Sequence, residues 1–66
     1  MRIDRGILAG EMARRDMNIK RLMELSSVSR ATITAIKGGK SCTQETAAKL
    51  AKGLGVPLET ILEKEA

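Results

Sequence analysis

The side chains of this sequence that could do chemistry are mostly cations. There is no histidine and only one cysteine, Cys42, so no zinc ligand set can be assembled and no imidazole is present to act as a base. The remaining Ser, Lys, Asp and Glu residues show no spacing that sets a base beside a nucleophile, and the chain reads as a non-enzyme with no metal and no cofactor. No Phe, Tyr or Trp is available to stack on an unpaired base, which removes the main contact of single-strand-binding platforms. What remains is charge. Residues 1–40 hold nine Lys/Arg against four Asp/Glu, or +5, whereas residues 41–66 hold three against four, or −1, for a net +4. A basic face of this kind attracts phosphate backbones, and duplex nucleic acid is the ligand class left open. Charge alone does not separate such a protein from an ordinary basic soluble domain.

The scaffold for these cations must be small. Sixty-six residues make one domain, whose core can draw on Ile, Leu, Val and Met but on no aromatic side chain. Stability of roughly a few kcal/mol follows. A lone cysteine and an N-terminus without an apolar signal-like run point to the cytoplasm, and no apolar stretch approaches the roughly 20 residues that cross a bilayer.

Apolar residues recur at spacings of three and four, with no alternating β-branched run and no proline before Pro57, so the chain is predicted to be all-α. Asp4 caps a first helix to about Arg15, in which Ile7, Leu8 and Met12 share a face. Asn18 caps a short second helix, Ile19 to about Leu25, with Leu22 and Met23 inward. Ser26 and Ser27 interrupt the pattern, and Ser29 caps a third helix to about Lys37. There Ile33 and Ile36 bury together and leave Arg30, Ala31, Thr34 and Ala35 outward. Gly38 and Gly39 end it. Thr43 caps a fourth helix striped by Ala47, Leu50, Ala51 and Leu54, Gly55 stops it, and Pro57 opens a fifth with Leu58, Ile61 and Leu62 as its buried side. Glu63 to Ala66 are expected to fray. Cys42 reads as a small half-buried filler, and Met12, Met17 and Met23 as core fillers.

The string NIKRLMELSSVSRATITAIKGGK, from Asn18 to Lys40, and the string KLAKGLGVPLETIL, from Lys49 to Leu62, resemble the DNA-binding domain of phage Cro and lambda-type repressors, the XRE-like helix-turn-helix family. The resemblance covers nearly the whole chain and implies a compact five-helix domain whose second and third helices form the helix-turn-helix. It also implies a phage or mobile-element origin. In such a fold the third helix enters the major groove N-terminus first, so Ser29, Arg30, Ala31, Thr34 and Ala35 are the implied base contacts. Arg30 is the strong reader, through guanine O6 and N7, while the alanines can touch only a thymine methyl. The bland alternative for Arg30 is a solvated helix-face charge. Asn18, Thr32, Lys40 and Ser41 fall where the family touches phosphate, and Lys20 and Arg21 lie near enough to add charge, unless they are simple solubilising residues.

The resemblance has departures. Ile19 stands where the family uses a polar phosphate ligand, Met23 where a small residue is usual, and Ser27 where glycine is usual. Ser27 requires either a left-handed residue, at a cost of roughly 1 kcal/mol, or a different turn path. An Arg–Glu pair often joins the first and third helices in the family. Those positions are Met12 and Lys37, which frees Lys37 to reach a phosphate.

Two functions are compatible with these residues. The first is a sequence-specific double-stranded DNA-binding regulator, a Cro-like repressor acting as a homodimer on a two-fold operator. The second is a modulator that keeps the fold but binds a partner repressor, motivated by Ile19 beside the Ala- and Thr-rich third helix; Leu58, Ile61 and Leu62 include the apolar residues best placed for a dimer or partner surface.

Overall fold

The computed structural model describes residues 1–63 and is all-α: α1 (Arg5–Arg14), α2 (Ile19–Ser26), α3 (Arg30–Lys37), α4 (Gln44–Leu54) and α5 (Leu58–Ile61). Four helices begin at the caps read from the sequence. Asp4 accepts a hydrogen bond from the Ile7 N–H at 3.1 Å, Asn18 from Arg21 at 2.8 Å, Ser29 from Thr32 at 3.2 Å and Thr43 from Thr46 at 3.1 Å. Each such cap is worth roughly 1 kcal/mol, which matters for helices as short as α2 and α3.

The helix ends also follow one rule. Asp16, Gly39 and Gly55 all have positive φ, at 51°, 98° and 75°. Behind each of them the next amide donates back five residues: Met17 to Met12 O at 2.9 Å, Lys40 to Ala35 O at 3.0 Å and Val56 to Ala51 O at 3.0 Å. This is the Schellman arrangement, which satisfies carbonyls that the helix leaves unpaired. The turn between α2 and α3 is tighter. Ser27 itself takes the left-handed conformation, φ 61° and ψ 25°, so the chain accepts the strained residue rather than a new turn path.

The core is built from Leu8, Met12, Leu22, Val28, Ile33, Ile36, Ala47, Leu50, Ala51, Leu54 and Ile61, closed at one end by Ile3. α2 packs against α4 and α3, α1 against α3 and α5, and α5 also against α4.

Three expectations are corrected by this packing. Ser26 is buried within α2 and does not interrupt it: its hydroxyl donates to Leu22 O at 2.6 Å and accepts from the Val28 N–H at 3.3 Å. Ile61 is 0% exposed, so it is a core residue and is removed from any surface patch. Leu58 and Leu62 are half-buried and also pack on the core. Glu63 is not frayed, because its N–H donates to Arg2 O at 2.9 Å. Residues 64–66, which share that expectation, lie outside the described residues. The underlying contact is an antiparallel bridge of Ile3 with Leu62, reinforced by Asp4 N–H to Ile61 O at 2.8 Å. No described helix is long and apolar enough to cross a membrane.

Candidate nucleic-acid interface

The orientation of α3 is set from inside. Ile33 and Ile36 are 0% and 1% exposed, and fixing that pair turns Arg30, Ala31 and Thr34 to solvent, with Ala35 half-buried beside them. Ser29 is exposed at the N-cap, but its hydroxyl is already engaged: it accepts the Thr32 N–H and donates to Thr32 Oγ1 at 2.9 Å. Thr32 is half-buried and keeps its own hydroxyl hydrogen. Asn18 uses its carbonyl oxygen as the α2 cap, which leaves its amide N–H groups to donate outward.

The cations sort by their partners. On α1, Glu11 is buried and holds both Arg15, at 2.6 Å, and Arg14, at 3.1 Å. The Arg15 guanidinium bound to Glu11 holds its carboxyl below the usual glutamate range, against the opposing effect of burial. Arg21 faces Glu24 at 3.7 Å and Lys49 faces Glu45 at 3.5 Å. Among the described residues no carboxylate pairs with Lys20, Arg30, Lys37 or Lys40. Exposed ion pairs add little stability, but they cancel local field, so four of the uncancelled cations lie on the helix-turn-helix and the loop after it, with Arg5 on α1 and Lys52 on α4 also without a carboxylate partner among the described residues.

These side chains are not scattered. Asn18, Lys20, Arg30 and Lys37 line one groove of about 660 Å³ between α1 and the helix-turn-helix, together with Ala9 and Ala13 and the more buried Met12, Met17 and Ile19. Met12 is buried and Lys37 exposed. Lys40 and Ser41 follow in the exposed loop beyond α3. Arg21 is separated from this set and lines a second groove of about 560 Å³ with Arg15, Leu25 and Lys52.

Two cations escaped the sequence reading. Arg2 donates to Gly39 O at 2.8 Å, and the Arg5 guanidinium sits 3.7 Å from where a Gly39 β-carbon would be, which places both beside Lys40. Nothing in the local pattern signals this, because it depends on the Ile3–Leu62 bridge that folds the N-terminal segment over the loop. The same segment ties down Cys42, whose N–H donates to Met1 O at 2.8 Å and whose carbonyl accepts from the Met1 ammonium at 3.0 Å. Burial pushes the half-buried Cys42 thiol up, against the pull of that ammonium, so a reactive thiolate is disfavoured. Among the described residues no group of His, Cys, Asp and Glu could hold a metal ion.

A capped pair of short helices joined by a left-handed residue, with the outer face of the second carrying unpaired basic and small side chains, is the geometry of a helix-turn-helix. A family model for the Cro/C1-type HTH DNA-binding domain matches residues 8–66. The chain belongs to this family. Its helix-turn-helix is formed by α2 and α3. Comparisons with curated proteins and with solved structures gave no match.

Proposed function

We propose that this Cro/C1-type domain is a sequence-specific repressor that binds duplex DNA by inserting α3, N-terminus first, into the major groove. The observation that carries the reading is Arg30: an exposed guanidinium without a carboxylate partner among the described residues, on the first turn of a helix whose rotation Ile33 and Ile36 fix. It is the base reader, with Ala31, Thr34 and Ala35 lining the path of the base edges and Ser29 offering only an acceptor. Asn18, Lys20, Thr32, Lys37, Lys40 and Ser41 take the phosphates, and Arg21 contributes charge from farther away. The active species is a homodimer on half-sites roughly 34 Å apart.

Selection of bound duplexes from a randomised pool tests this. The predicted winners are two-fold sites with a guanine in each half and half-sites about one helical turn apart. Recovery of unenriched sequence would contradict it, and sedimentation that finds only monomer with and without DNA would contradict the dimer.

A second reading is favoured by Ile19, a half-buried apolar side chain in the lining of the DNA-facing groove. It makes the chain a modulator that masks a partner repressor. Gel shifts on DNA flanking its gene, with and without the neighbouring repressor, separate the two: binding alone supports the regulator, and binding or release only in the repressor's company supports the modulator.

A further inference from the structure

The groove between α1 and the helix-turn-helix has two chemistries that one phosphate backbone cannot use together. Its floor includes Met12, Met17 and Ile19, its rim carries Lys20, Arg30 and Lys37, and none of its lining residues is acidic. Phosphates would engage the rim and leave the apolar floor unused. An occupant that uses both must carry apolar groups and carboxylates on the same surface.

The spacing of the rim narrows the class further. Arg30 and Lys37 stand at opposite ends of α3, about 10 Å apart along its axis at 1.5 Å per residue. Lys20 reaches in from α2. Carboxylates one or two helical turns apart span that distance, whereas a single small organic anion meets one cation at a time. A second copy of this chain carries the same net +4 and would bring like charge to like. A volume of about 660 Å³ is enough for a cluster of apolar side chains from a docked helix.

We propose that this groove receives an acidic amphipathic helical segment of a partner protein, apolar side chains on Met12, Met17 and Ile19 and carboxylates on Lys20, Arg30 and Lys37, and that its binding excludes DNA. The exclusion rests on the DNA-binding reading above, because Arg30 and Lys37 serve both ligands; occupancy of the groove does not.

The probe is a synthetic labelled helix of about 14 residues, with leucines at i, i+3, i+4 and i+7 and glutamates elsewhere. Two controls change one chemistry each: leucines to serines, or glutamates to glutamines. Binding to the whole chain is followed by anisotropy and by methyl NMR. The probe is expected to bind, to shift the methyl signals of Met12, Met17 and Ile19, to yield to the selected duplex, and to bind more tightly than either control. Ile19→Gln is expected to weaken the probe about tenfold while duplex affinity holds or rises, and Ile19→Met is expected to restore the probe.

Several results would overturn the proposal. One is a serine control that binds as well as the probe, since the groove would then be a plain cationic patch. Others are methyl shifts confined to another face, no binding of the probe at 0.1 mM (roughly the weakest affinity of a useful contact), or an unchanged affinity in Ile19→Gln. Octanoate binding there in place of the probe would point to a small amphiphile, and loss of a dimer in Ile19→Gln would point to self-association; either replaces the proposed occupant. A wild-type chain that binds the probe but no duplex would overturn the DNA reading and the exclusion while leaving the groove's occupant in place.

Discussion

A β-carbon on Gly53 would lie 2.9 Å from Ser26 Cβ, 3.0 Å from its backbone nitrogen and 3.1 Å from its Cα. The first helix of the helix-turn-helix therefore meets α4 backbone to backbone, and the hydroxyl of Ser26 folds onto Leu22 O, leaving the crossing clear. Gly53→Ala tests how firmly this contact is set. Alanine gains about 1 kcal/mol of helix propensity over glycine, but overpacking of a crossing costs about 1–3 kcal/mol. We expect a net loss of about 1 kcal/mol in chemical denaturation; a gain would mean that α2 can shift without penalty.

Ser27 predicts the opposite sign. Its left-handed backbone at φ 61° suits glycine, so Ser27→Gly should stabilise the domain by about 1 kcal/mol and raise Tm by roughly 4–8 °C. An unchanged or lowered Tm would show that the turn carries no strain.

The Glu11 pair gives a pH signature. Its carboxyl is held below its ordinary value of 4.5 in the folded chain, chiefly by Arg15. The stability it adds is present above the unfolded value and is lost as pH falls through the lower, folded one. Thermal melts of wild type and Glu11→Gln should therefore differ at pH 7 and converge in acid. A difference that stays constant across that range would mean that the carboxylate's charge is not what matters.

The sequence reveals the helices because their caps are local: Asp4, Asn18, Ser29 and Thr43 each need only the next turn to be recognised. The outer face of α3 is legible for the same reason, since Ile33 and Ile36 fix its rotation. Contacts between distant segments leave no such trace. The Ile3–Leu62 bridge pairs the two ends of the domain, and through it Glu63 is anchored and Arg2 and Arg5 arrive beside Gly39. Ile61 is read both as the buried side of α5 and as a patch residue, because apolar spacing marks a face without saying how deeply it sinks, and it proves fully buried. Ser26 is misread because a serine flanking a turn looks like an interruption until Gly53 is seen against it.

The central claim is that α3 reads bases while the loop after it grips phosphate, and one salt-dependent binding comparison tests it. Arg30→Ala, Lys40→Ala and wild type are titrated onto the best selected duplex and onto random duplex across a range of salt. Arg30→Ala should lose about 1–3 kcal/mol on the selected site, flatten the preference at one guanine and barely change on random DNA. Lys40→Ala should weaken both duplexes nearly equally and reduce the slope of log K against log salt by roughly 1. If both variants bind both duplexes as wild type does, α3 is not the reading element and the account is wrong.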